Sequence, residues 1–381
     1  MATIMFFAFP EFGHFNPTLK LAKALQHAGH RVCYLGFAEF EEYLRAQQLE
    51  FIPIMAEQAH GTAAATRPCM RAKPMLEALS GIDEPDRASS GVFKHVENEL
   101  QRLTSEVKPD MLLVDFLIGN LAYKADREFG VPSVLVSLSY FETPMLGRPV
   151  HDGNPELPVL VLCPDDFDFP VAIKDQNRIC IEPSVDLQRK ELHAFPWDAL
   201  DNSKPLIYCS LGSQSYIYDR TADLFRAVAA AMQCKPGWQL LLATGSDVTL
   251  EQLGPLPTNV LVVKWAPQVQ VLKRAAMMIT HGGLGAIKEC IFLGVPMVVF
   301  PCRWDQPFNA ARVAAHGLGV RGNINHISAG HILSLMETIA GNPLFKQRVD
   351  AMSKTFRDIE DSGIGVRAVE TLLKNSARWA N

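Results

Sequence analysis

The chain runs twice through one pattern: a short, near-continuous apolar run, a loop of small residues, and then a helix with a single apolar stripe. The first instance opens at Thr3–Phe9, whose unbroken apolar character suits a strand buried on both faces. The loop Pro10-Glu11-Phe12-Gly13-His14-Phe15 follows. Asn16 is then expected to cap a helix with Pro17 at its first position, where a missing N–H costs nothing. Leu21, Ala24, Leu25 and Ala28 give that helix its stripe, and Gly29 ends it. Arg31–Gly36, Met111–Asp115 and Ser133–Val136 read as further strands, with helices such as Leu121–Glu128 between them. Strands alternating with helices imply βαβ units and a parallel sheet.

From Tyr140 to Pro205 the texture changes: nine of the 25 prolines fall there and helical periodicity is lost, so the segment reads as loops followed by a linker. The pattern then restarts at Leu206–Cys209, which runs into Ser210-Leu211-Gly212-Ser213. Thr221–Met232 reads as a helix, and Gln239–Ala243, Val260–Val263, Met277–Thr280 and Met297–Phe300 as strands. The expected fold class is α/β, with two Rossmann-like domains facing each other across a cleft. Their expected limits are 1–190 and 205–360, joined by a linker at 191–204, with a terminal helix in 361–381 crossing back to the first domain. Ligands of such sheets lie outside the carboxyl ends of the strands.

Composition narrows the function classes. The 381 residues carry a formal net charge of −5, and no Lys/Arg run supplies the basic footprint of a nucleic-acid binder. The eight cysteines form no CxxC pair, so reduced, buried thiols are the reading. No apolar run approaches the ~18 residues of a spanning helix, and the start of the chain lacks a signal peptide's basic lead-in. An integral membrane segment is not expected, and the cytoplasm is the expected location.

Residues 265–310 hold the most chemistry. They contain Trp265-Ala266-Pro267-Gln268, then His281-Gly282-Gly283-Leu284-Gly285-Ala286, Glu289, and Asp305-Gln306. A strand ending at His281, a glycine turn and a helix from Leu284 aim backbone N–H groups and a positive helix end at one point, which suits a diphosphate. Trp265 offers a flat face to a base, and Glu289 offers acceptors to ribose hydroxyls. Taken singly, Trp265 also reads as core, Glu289 as a solvated helix residue, His14 as a surface or satisfied core residue and Asp115 as a cap.

Taken in order, this box resembles the signature of the UDP-sugar-dependent glycosyltransferases of the two-domain GT-B fold (family 1), in the form carried by bacterial natural-product enzymes. Gly13-His14-Phe15-Asn16-Pro17, Val114-Asp115-Phe116 and Ser210-Leu211-Gly212-Ser213 match the same family. The resemblance implies that Trp265 stacks on uracil, Ala266 pairs with its edge, and Gln268 and Glu289 hold the ribose. It gives the diphosphate to His281 with Gly283, the amides near Gly285 and Ala286, and Ser213. Asp305 and Gln306 would bind sugar hydroxyls, His14 would be the general base, and Asp115 its partner. The implied reaction is direct displacement with inversion, moving a hexose such as glucose from UDP to a hydroxyl of a hydrophobic small molecule. Plant members carry Trp at the position of Leu284, Asn at Gly285, and Ser or Thr at Ala286. No cofactor or metal is expected, since the UDP-sugar is a co-substrate. Rival readings are transfer to a lipid or carotenoid at a membrane surface, and a non-catalytic UDP-sugar-binding protein. Gly317–Gly322 fits GxGxxG but follows a helix, so it reads as a C-cap rather than a dinucleotide loop. Asp166-Phe167-Asp168 resembles a DxD metal motif but reads as a solvated loop.

Overall fold

A computed structural model describes residues 1–54, 91–140, 157–169, 177–245 and 248–376. In the sequence the acceptor pocket carries no motif and is left to the loops of 54–90 and 140–169, and most of these two segments lies outside the described residues. Seven strands form one sheet: β1 (Thr3–Phe7), β2 (Arg31–Gly36), β3 (Glu50–Pro53), β4 (Met111–Asp115), β5 (Ser133–Ser137), β6 (Val159–Val161) and β7 (Arg178–Cys180). Six form the other: β8 (Leu206–Ser210), β9 (Gln239–Ala243), β10 (Val260–Val263), β11 (Ala275–Thr280), β12 (Met297–Val299) and β13 (Gly319–Arg321). The orders are β3-β2-β1-β4-β5-β6-β7 and β10-β9-β8-β11-β12-β13, and every pairing is parallel. The two Rossmann-like α/β units expected from the alternation are therefore present.

The strand interiors follow from their sequences. All five residues of β4, β5 and β9 are buried, as strands covered by helices on both faces require. The helix Leu19–His27 covers β1 and β2 with Leu19, Leu21, Ala22 and Leu25. Across the other sheet, Leu224, Phe225 and Val228 of helix Thr221–Ala231 pack with Ile207 and Leu240. The terminal helix Ile364–Ser376 packs on the first sheet: Val369 is buried beside Leu21, and the Gly365 N–H donates to Glu182 at 2.7 Å. No helix among the described residues is long and apolar enough to cross a membrane.

Three readings need correction. Asn16 is not an N-cap. The chain turns into helix earlier, at Phe12–Phe15, because the Glu11 carbonyl already accepts the N–H groups of His14 and Phe15. Asn16 begins a 3-10 turn, and its side chain accepts a hydrogen bond from the Tyr43 hydroxyl. The proline-rich segment is not only loop, since β6 and β7 extend the first sheet from within it. Asp168 is not solvated. It is buried and takes Arg178 at 2.7 Å on one oxygen and Arg312 at 2.7 Å on the other. Asp166 beside it is exposed. Gly317 does end a helix, at φ +65, and the chain then enters β13 rather than a helix.

Arg312 lies in the helix Gln306–Ala315 of the second half, with its guanidinium over the Tyr140 ring at 4.5 Å. Asp168 thus ties the two halves through a buried ion triad. Asp168→Ala removes the buried carboxylate that Arg312 and Arg178 share, leaving Arg178 its longer contact to Asp165 at 3.6 Å, so it should cost about 3–5 kcal/mol of stability. Urea unfolding followed by far-UV dichroism measures this, and a change below about 1 kcal/mol would mean the triad is replaceable by water.

Candidate active site between the two sheets

In each sheet the strand order reverses once, between β1 and β4 and between β8 and β11. Loops leaving the carboxyl ends at such reversals diverge and open a crevice. The two crevices face each other and form one cleft of about 640 Å³. All the site residues expected from the sequence line it: His14 and Asp115 from the first half, and Ser213, Trp265, Ala266, Gln268, His281, Gly283, Gly285, Ala286, Glu289, Asp305 and Gln306 from the second.

His14 sits on the single helical turn after β1, and Asp115 is the last residue of β4. Because β1 and β4 are in register at Phe7 and Val114, their carboxyl ends emerge side by side. His14 Nδ1 meets Asp115 Oδ2 at 2.7 Å. Asp115 Oδ1 accepts the Leu117 N–H at 2.9 Å, which fixes the carboxylate. A carboxylate at Nδ1 keeps the proton there, and Nε2 is then the basic nitrogen. Burial lowers the His14 pKa, but the charge and hydrogen bond of Asp115, with Glu11 and Asp305 nearby, outweigh it and raise the value above 6.5.

The second histidine has the opposite setting. His281 directly follows β11, with its ring between Gly212 and Gly283. A Cβ on either glycine would lie 2.6 Å from that ring. Burial without a compensating charge pushes its pKa down to about 4. The helix Leu284–Phe292 starts beside it with no side-chain cap, so its first N–H groups are left to a ligand. Ser213 stands opposite Gly13, where a Cβ would lie 3.7 Å from its hydroxyl, so the two halves approach closely here.

At the far end Trp265 is 40% exposed and presents its ring to the cleft. The Gln268 amide donates to Glu289 Oε2 at 2.7 Å, and Arg189 donates to Glu289 Oε1 at 2.7 Å. Asp305 Oδ2 accepts from Asn309 at 2.8 Å, and burial raises its pKa. Gln306 is already engaged. Its oxygen accepts the N–H groups of Cys302 and Arg303, and its amide donates to Tyr218. One N–H of Gln306 remains for a ligand.

Sequence reasoning missed four cleft residues. Arg189 lies where the chain nears the linker, and its partner Glu289 is a hundred residues away. Lys288 carries no motif, yet it is buried, donates to the Leu162 carbonyl, and has its pKa lowered by burial. Trp304 takes a left-handed backbone, φ +58, uncommon for a bulky residue. Glu11 carries no motif, and only its place three residues before His14 marks it.

The sequence pattern of the family described as UDP-glucoronosyl and UDP-glucosyl transferase matches residues 166–362. Over 97% of this chain and 96% of its own length, an NDP-glycosyltransferase of Bacillus subtilis, YjiC, is 26% identical. The demethyllactenocin mycarosyltransferase of Streptomyces fradiae is 25% identical over 99% of this chain and 88% of its length. Among solved structures, the calicheamicin glycosyltransferase CalG4 superposes with a TM-score of 0.73 at 20% identity, covering 99% of both chains. The family match spans more than half the chain and the fold is that of GT-B enzymes. The chain therefore belongs to the UDP-glucoronosyl and UDP-glucosyl transferase family and is a glycosyltransferase.

Proposed function

We propose that the enzyme transfers a hexose of the glucose type from a UDP-sugar to a hydroxyl of a hydrophobic small molecule, with inversion. The observation that carries this is the His14–Asp115 pair at 2.7 Å, placed on the first half and facing the glycine loop of the second. His14 Nε2 takes the acceptor's proton. The freed oxygen lone pair attacks the anomeric carbon from the side opposite the diphosphate, and the C–O bond to phosphate breaks with UDP leaving. Asp115 holds the imidazole's tautomer and stabilises the imidazolium as it forms. Relatives named for demethyllactenocin and oleandomycin support a natural-product acceptor.

The donor is laid along the second half. Uracil stacks on Trp265, and the ribose hydroxyls donate to Glu289, whose oxygens have lone pairs left after Arg189 and Gln268. The diphosphate takes hydrogen bonds from the helix N-terminus at Gly285 and Ala286, from Ser213 and from neutral His281. This arrangement asks for no divalent ion. Asp305 takes the sugar hydroxyls, with Gln306 limited to one contact.

His14→Ala should lower turnover roughly 100- to 10,000-fold while UDP affinity, read by calorimetry, stays. Near-normal turnover on an alcohol acceptor would make His14 structural. The base works unprotonated and its pKa is raised, so the rate should fall as pH drops through a value above 6.5. Asp115→Asn removes a charge that holds the proton on, so it should move that acid limb to lower pH as well as slow the reaction.

Two binding measurements test the donor reading. Trp265→Ala should weaken UDP binding by about 1–3 kcal/mol, the range of base–aromatic stacking. An unchanged affinity in a folded variant would remove the base from this face. UDP affinity should also be the same with and without EDTA, and its loss on chelation would bring a metal into the site.

A further inference from the structure

The chemistry above gives Glu11, a buried carboxyl of the cleft, no task. Glu11 is 1% exposed. Its Oε1 accepts from the Tyr216 hydroxyl of the other half at 3.3 Å, and the Ser213 hydroxyl is a second hydrogen-bonding neighbour of the carboxyl. Its Oε2 has no hydrogen-bond partner at all. The backbone of Glu11 is fixed, because its carbonyl accepts the N–H groups of His14 at 2.9 Å and Phe15 at 3.1 Å. A buried carboxyl oxygen left unpaired is costly, and burial accordingly raises the Glu11 pKa; a hydroxyl donating to Oε2 would relieve that cost.

The substrates differ in what they offer there. A diphosphate has only acceptor oxygens. Uracil and ribose belong at Trp265 and Glu289, on the far side of the glycine loop. The acceptor's one reacting proton goes to His14. The transferred sugar remains, and it carries several hydroxyls. Glu11 lies where the sugar must pass, between the diphosphate loop at Ser213 and the base at His14. Glu11 and Asp305, one from each half, both bring a carboxyl close to His14 and to Tyr218.

Resting on the transfer reading, we infer that Glu11 Oε2 accepts a hydrogen bond from one hydroxyl of the transferred sugar. The first half of the molecule therefore helps to select the donor, beside the second half that binds the nucleotide.

The test compares UDP-glucose with each of its monodeoxy analogues on wild type, Glu11→Ala, Glu11→Gln and Glu11→Asp, reading kcat/KM, with UDP affinity measured by calorimetry. For one analogue, wild type should lose about 10- to 150-fold against the full sugar, the worth of a hydrogen bond to a charged group. In Glu11→Ala and in Glu11→Asp, one methylene short, that ratio should shrink to within about 3-fold. Glu11→Gln keeps an acceptor oxygen in place and should retain part of it. UDP affinity should be unchanged throughout. The same analogue profile in every folded variant as in wild type, with UDP still bound, would overturn the role of Glu11 alone. Failure of the wild-type chain to bind UDP would instead remove the transfer reading on which it rests.

Discussion

Parallel strands all end on the same side of their sheet, and this constraint places the chemistry. Where strand order reverses, the loops leaving two neighbouring strands part and leave a crevice that no covering helix fills. This chain has two such reversals, at β1/β4 and β8/β11, and sets them face to face. The His14–Asp115 pair sits at one and the His281 glycine loop at the other. Two reactants bound to separate halves thus meet at one point, and each half needs only to hold its own partner.

The cleft's polar groups depend on residues that cross between halves. Glu289 is buried with Arg189 on one oxygen and Gln268 on the other. Arg189 comes from the segment leading out of the first sheet, so the crossover chain fixes the carboxylate proposed for the ribose. Asp168, between β6 and β7, does the same for Arg312 on the far flank. Lys288 reaches back from the helix Leu284–Phe292 to the Leu162 carbonyl. Each contact is buried, where a charge without its partner is costly. The relative position of the two halves is therefore set by electrostatic pairing as well as by apolar packing.

The parts of this arrangement visible in the sequence are those whose signal is local. β1, β4, β8 and β11 are covered on both faces, so each reads as an apolar run, and the loops that follow carry the histidines and glycines in recognisable order. β3, β7 and β13 are three or four residues long, lie at sheet edges and include Glu50, Arg178 and Arg321, so no apolar run marks them. β6 is as short and lies among prolines. The start of the first helix was misplaced because a backbone carbonyl, at Glu11, decides it, and side-chain capping preferences do not register that. Asp168 looked solvated because its second guanidinium partner is 144 residues away. Glu11 carries no local signal for a similar reason: its hydrogen-bonding neighbours, Tyr216 and Ser213, belong to the opposite half.

The two cleft histidines show how one residue type serves two ends of a reaction. Around His14 stand Asp115, Glu11 and Asp305, and their charges hold a proton on the ring more strongly than water would. Around His281 stand Gly212, Gly283 and the Tyr218 ring, with no carboxylate to offset burial, so protonation there meets the full cost of burial. Environments that push like groups apart assign their roles. In the proposed mechanism the acceptor's proton goes to His14, because the imidazolium it forms is matched by carboxylates already in place. His281 stays neutral at working pH and keeps one ring N–H to donate to the diphosphate. A glycine loop that admits no side chain also admits no counter-charge, so the feature that lets a phosphate approach closely is the same one that keeps His281 out of the proton transfer.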